Sequence, residues 1–161
     1  MIIKINKSPS ADSRTTDVTK VTKDKLFESS KEHISDVGQA VQFFIDMLFK
    51  AAINHDYTKI DDPEEKGLTS FYNSFSKGLT GDAFKAEPWF RRHIIEERHH
   101  LNDHCPDDVT LIDVLERVAD ITTAGMARSG SIYDDTLDPD ILVKAYKNTI
   151  NLLQRSILVI E

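Results

Sequence analysis

The sequence has a single cysteine, Cys105, in 161 residues. No intramolecular disulfide can form, a structural zinc site built on thiolates is excluded, and a reducing compartment is the simple reading. No apolar run approaches the ~20 residues of a membrane span. The apolar stretch in Met1-Ile2-Ile3-Lys4-Ile5 is too short for a signal peptide, so a cytoplasmic chain is expected. A Gly-rich phosphate loop is absent, which argues against ATP chemistry of the P-loop kind. Internal repeats and low-complexity tracts are absent too. Positive charge is in deficit, with 20 Lys and Arg against 27 Asp and Glu and a net charge of −7. Such a surface does not suit gripping duplex nucleic acid or an anionic membrane, although it leaves room for a local basic phosphate pocket.

What is present is an ordinary globular balance, 40% hydrophobic and 29% charged, at a length that fits one domain with its own core. Residues 1–20 read as a polar N-terminal arm with a short strand near Ile2–Ile5, and 21–161 as a single helical domain. Thr22 is a plausible N-cap for a helix from Lys23 to Asn54. Its apolar stripe is Ile34, Val37, Val41, Phe44, Leu48 and Ala52. The segment is one helix, or two broken near Ser35–Gly38. Pro63 marks a helix start. Phe71, Tyr72 and Phe75 give a short amphipathic helix ended by Gly78 and Gly81. Further helices are expected from Pro88 to Asn102, from Val109 to Arg128 after a cap at Cys105–Asp108, and from Asp138-Pro139-Asp140 to the C-terminus. Five or six helices and no confident sheet make an all-α fold. Ile157, Leu158 and Ile160 on the last helix offer a homodimer contact.

The six histidines are His33, His55, His93, His99, His100 and His104, and four of them fall within twelve residues, beside Glu96, Glu97, Asp103 and Asp107. Imidazole with carboxylate suits a divalent ion such as Mn, Zn, Fe, Ni or Co. Helical neighbours point about 100° apart, so His55 and Asp56 share a partner only where the backbone turns at a helix end; the bland reading of the pair is a polar helix terminus. A seven-residue spacing puts His93 and His100 on one helix face, flanked by Glu96 and Glu97, with His99 pointing towards Arg92 and Ile95. Asp113, Glu116 and Asp120 line one side of a later helix. A solvated acidic stripe is the simple reading of the first two. Asp120 sits mid-helix among apolar and small residues, where a metal or a salt bridge to Arg117 or Arg128 would justify it.

The order His33 … His55-Asp56 … Asp120 resembles the HD-domain superfamily, named for its adjacent His-Asp pair. His55-Asp56-Tyr57-Thr58-Lys59 is similar to the version with a lysine three residues after the aspartate. The Trp89–His93 and Arg98-His99-His100 stretches look like small uncharacterised HD-like proteins of bacteria and phages. The resemblance implies one or two divalent ions (Mn, Zn, Fe, Ni, Co or Mg) held by His55, Asp56, His93, His100, Asp120 and His33. It also implies phosphohydrolase chemistry on a nucleotide or related small phosphoester. Lys59, His99 and Glu97 are then catalytic candidates, and Arg14, Arg92, Arg98 and Arg128 candidates for balancing phosphate charge. His33 and His55 are 22 residues apart; an unbroken helix would separate them by roughly 33 Å, so His33 reaches the site only if the chain turns near Gly38. Two other readings remain: a di-iron oxidase, since Glu96-x-x-His99 and Glu97-x-x-His100 match one half of a carboxylate-bridged motif, and a non-catalytic helical adaptor.

Overall fold

The computed structural model describes residues 2–8, 17, 19–60 and 69–160. Among these are helices α1 (Lys23–Asn54), α2 (Thr69–Ser76), α3 (Gly81–Lys85), α4 (Pro88–Glu96), α5 (Leu111–Ser129) and α6 (Pro139–Arg155), a 3-10 turn at Tyr57–Lys59, and two short strands, β1 (Ile3–Asn6) and β2 (Ile157–Ile160). The fold is all-α with one small sheet. Arg14 and the helix start expected at Pro63 lie outside the described residues. None of the described helices is long and apolar enough to cross a membrane.

Thr22 Oγ1 accepts the Lys25 N–H at 3.3 Å, the N-cap expected of it. α1 then runs through Gly38 without a break. Four sequence expectations need correction. The last helix stops at Arg155, and Ile157–Ile160 is a strand pairing in parallel with β1, from Ile3↔Ile157 to Asn6↔Ile160. The apolar residues offered for a dimer on that helix are therefore strand residues; a run rich in β-branched side chains suits a pleated edge as well as a helix. Gly81 opens α3 instead of ending α2. The cap of α5 is Thr110, whose N–H and hydroxyl donate to Asp113 Oδ2 at 2.7 and 2.9 Å. Finally, α4 ends at Glu96, well short of Asn102.

The chain forms two compact units, Met1–Met47 with Ile150–Glu161, and Leu48–Thr149. In the first, Ile3 of β1 is buried, and Phe43 is buried with its ring 5.6 Å from that of Phe44. The stripe expected to face a core on α1 is present but open, with Ile34 71% exposed and Val37 and Val41 about half exposed. Helical period fixes that such residues share a face; it does not supply a cover for that face.

The second unit has its core in Leu101, Val109 and Ala145, against which Leu111, Val114, Leu137 and Ile141 pack. Asp138 Oδ1 accepts the Asp140 N–H at 2.9 Å and starts α6 where expected. Thr149 ties α6 to α5 by accepting the Leu111 N–H at 2.9 Å. A Cβ on Gly125 would meet the Ser131 carbonyl oxygen at 2.6 Å, so glycine lets the segment after α5 lie directly on the helix. Trp89 organises the other side: its ring lies 4.9 Å from Phe71 and stacks on His93 at 5.1 Å, and its Nε1–H donates to the Thr58 carbonyl at 3.2 Å.

Candidate metal centre

Every group of the centre lies in the second unit. α1 ends at Asn54, and the chain reverses at Asp56, which has φ 57° and ψ 25°. Among the described residues it is the one non-glycine with positive φ. That conformation is uncommon outside glycine, asparagine, aspartate and histidine, and it takes the doublet off the helical spacing that would splay its side chains apart. His55 Nε2 and Asp56 Oδ2 come to 3.5 Å. The Lys59 ammonium contacts the same carboxylate oxygen.

The turn is clamped by Glu97, a buried carboxylate. It accepts the Asp56 N–H at 3.2 Å, the Thr58 N–H at 2.9 Å and the Thr58 hydroxyl at 2.7 Å. The same hydroxyl oxygen is 2.6 Å from His93 Nδ1. Glu97 therefore holds the doublet and, through Thr58, the ring of His93. It is a positioning residue, and three of its acceptor sites are filled from within the chain.

Because α4 stops at Glu96, His93 and His100 do not meet as helix neighbours two turns apart. The chain folds back after Glu97, and their Nε2 atoms approach to 2.8 Å. The same turn carries His99 inward, not towards Arg92 and Ile95: its ring is buried and lies 4.5 Å from that of His55. Arg117 holds this turn, donating to the His99 carbonyl at 3.3 Å while its other nitrogens pair with Asp135.

Two groups of donors result, and each can hold a metal ion: His55, Asp56 and His99, and Asp56, His93 and His100. Asp56 belongs to both. In the first, Asp56 Oδ2 lies 3.5 Å from His55 Nε2 and Asp56 Oδ1 lies 3.7 Å from His99 Nε2. Asp120 borders it at 3.7 and 3.9 Å from the same two nitrogens. A tetrahedral ion with ligands at ~2.1 Å has donor–donor edges of ~3.4 Å, and each of these carboxylate–imidazole distances is within a few tenths of an ångström of that edge, though they run to different oxygens of each carboxylate. In the second, Asp56 Oδ1 is 3.6 Å from His93 Nε2.

Some of these atoms are also unpaired among the described residues. Asp56 Oδ1 and both ring nitrogens of His99 are buried without a hydrogen bond. His99 Nδ1 is 3.2 Å from Glu116 Oε1 but off the line a hydrogen bond needs. Buried polar atoms without partners are costly, and a cation would satisfy Asp56 Oδ1 and His99 Nε2, with His99 Nδ1 left facing Glu116. Burial, with the charges around it, pushes the pKa of His93 down to about 3 and that of His100 to about 4, so both rings are neutral ligands. Burial also opposes ionisation of Asp56, yet the hydrogen bond and charge of Lys59, with His55 and His93, hold its carboxyl below the ordinary range. For His99, burial is outweighed by the carboxylates of Glu116, Asp56 and Asp120, which raise its pKa.

Glu116, read from the sequence as a solvated acid, is the residue that reading missed. It lies 3.0 Å from His55 Nδ1 as well as beside His99, so one carboxylate orients both rings with Nε2 towards Asp56. The signal was its place one turn before Asp120 on the same face. Asp113 is likewise buried, and accepts both Arg98 Nε at 2.7 Å and Nη2 at 3.0 Å. With Asp108 on Nη1, Arg98 is committed to holding the start of α5, which removes it from the phosphate-binding candidates. Arg92 Nε donates to Glu96 at 3.1 Å. Arg128 is exposed in the last turn of α5, about 12 Å along the helix from Asp120. His33 is exposed on an unbroken helix and joins neither donor group. The turn near Gly38 that it needed is absent.

The profile of a family of unknown function, DUF5662, matches residues 22–156. The chain belongs to this family. The match contains both donor groups, so the DUF5662 region holds the entire centre. No curated protein and no solved structure matches the chain.

Proposed function

We propose that this chain is a metal-dependent phosphohydrolase acting on a nucleotide or a related small phosphoester. The observation that carries the reading is the sharing of Asp56 by two donor groups, with Asp56 Oδ1 and the ring nitrogens of His99 buried and without a hydrogen bond among the described residues. If two ions were bound, Asp56 would contribute to holding both, and such a pair would supply the clamp used in displacement at phosphorus. Nitrogen and oxygen donors without thiolate favour Mn, Zn, Fe, Co or Ni over Mg, which prefers oxygen alone. When bound, such ions lower the pKa of water and draw charge from a phosphoryl oxygen.

The chain's own groups have distinct tasks. Glu116 aligns His55 and His99. Glu97 and Thr58 align His93. Lys59, as a compact charge beside Asp56, would sit against a phosphoryl oxygen. In the reaction, the oxygen of water bonds to phosphorus, the ester P–O bond breaks, and the alcohol departs with a proton.

Untagged protein should contain about one or two equivalents of a transition metal, and metal-loaded protein should release phosphate from simple phosphoesters. Asp56→Ala, which removes the shared donor, should lose both metal and activity. Retention of the same metal with unchanged affinity in Asp56→Ala sinks the proposal. Iron with a visible absorption band and no phosphate release would favour the oxidase reading instead.

A further inference from the structure

A cavity of about 340 Å³ lies between the last turns of α1 and the middle of α5. Leu48, Ala52, Leu115 and Ala119 form apolar wall, while His55, Glu116 and Asp120 line the same cavity. The cavity and the first donor group thus share side chains. Along α1, Leu48 lies two turns before His55, so the space extends about 10 Å from the centre. Its volume falls at the lower end for small-molecule sites.

The lining is selective by what it cannot offer. None of its residues is a lysine or arginine. Of the cations near the centre, Lys59 contacts Asp56, Arg98 is held by Asp113 and Asp108, and Arg117 by Asp135. A polyphosphate chain would find only the carboxylates of Glu116 and Asp120 there. A nucleobase would fare little better. The one hydroxyl in the lining, on Thr123, already donates within its helix to Ala119 and Asp120 carbonyls at 2.9 and 3.2 Å. Glu116 and Asp120 could accept from a base's amino group, but its carbonyl and ring-nitrogen acceptors would be desolvated without donors to replace water.

We infer that the cavity takes the organic part of the substrate, and that this part is compact and apolar, such as a single aryl ring or a short alkyl group on one phosphate. The inference rests on the phosphohydrolase reading for the phosphate and on the cavity alone for the apolar group.

The test uses zinc-loaded full-length protein and two non-hydrolysable probes, phenylphosphonate and methylphosphonate, measured by calorimetry. A third probe, benzyl alcohol, is followed through the methyl NMR signals of Leu48, Leu115 and Ala119. Burial of the ring should make phenylphosphonate bind about tenfold or more tightly than methylphosphonate, and benzyl alcohol should move all three methyl signals. Ala119→Leu, a substitution a helix accepts readily, should abolish both the preference and the benzyl alcohol shifts while retaining the metal. Equal binding of the two phosphonates, or unmoved methyl signals because another surface covers the cavity, overturns the inference. Benzyl alcohol binding with no binding of either phosphonate upholds the apolar subsite and overturns the phosphoester reading.

Discussion

The Nε2 atoms of His93 and His100 lie 2.8 Å apart, and Thr58 fixes which of them bears a proton. The threonine hydroxyl has one hydrogen, and Glu97, an acceptor only, receives it. His93 Nδ1 must therefore be the donor to Thr58 Oγ1 at 2.6 Å, which leaves the lone pair of His93 Nε2 facing inward. Without an ion, His100 Nε2–H then donates to His93. With an ion, both Nε2 atoms must be bare. Ring ¹⁵N NMR should show His93 as the Nδ1–H tautomer throughout and His100 moving from Nε2–H to Nδ1–H on addition of zinc. An Nε2–H signal from His93 in the metal-free protein contradicts this account.

Glu97 should matter for metal affinity although it is no ligand. In Glu97→Gln an amide NH2 replaces one acceptor, so either the Asp56 N–H or the Thr58 groups lose their partner. Loss of an orienting partner of this kind costs about 10–100-fold in metal affinity, and an unpaired buried N–H costs about 1–3 kcal/mol of stability. Zinc titration against a competing chelator and urea denaturation measure the two effects. Wild-type values for both would remove Glu97 from the site.

Acid should destabilise the metal-free protein before its carboxylates titrate. Burial holds His93 near 3 and His100 near 4, whereas in the unfolded chain histidine has a pKa of about 6.5. Between those values the unfolded state binds more protons, so unfolding free energy rises with pH there and falls as pH drops below about 6.5. His99, whose pKa is raised, has the opposite sign and contributes its loss only as pH rises through its folded pKa. Urea midpoints should therefore decline from pH 6.5 to pH 5, and His93→Gln should flatten that decline. A midpoint unchanged over this interval refutes the neutral, buried state of these rings.

Much of the frame could be read from local signals. Thr22 caps α1, Asp138 starts α6, and the apolar pattern of α1 stops at the doublet. The rest was decided at a distance. Nothing in Glu96-Glu97-Arg98-His99 marks a helix end; α4 ends there because the Glu97 side chain turns to the N–H groups of Asp56 and Thr58, far away in sequence. That one event placed His99 inside the site and made a turn of what spacing alone presents as a helix face. Glu116 was misread for a similar reason, since a charged stripe on a helix looks the same whether solvent or two imidazoles lie opposite.

The left-handed backbone at Asp56 has a consequence for what position 56 can tolerate. Glycine would satisfy the backbone and leave both donor groups without their shared oxygen. Glutamate would bring donor atoms but resist the dihedral angles, and histidine would accept the angles but bring neutral nitrogens in place of a charged carboxylate. Asparagine accepts the angles and offers only a neutral oxygen in place of a charged one. Two independent filters, one steric and one chemical, thus overlap on a single amino acid, and neither filter alone would single it out.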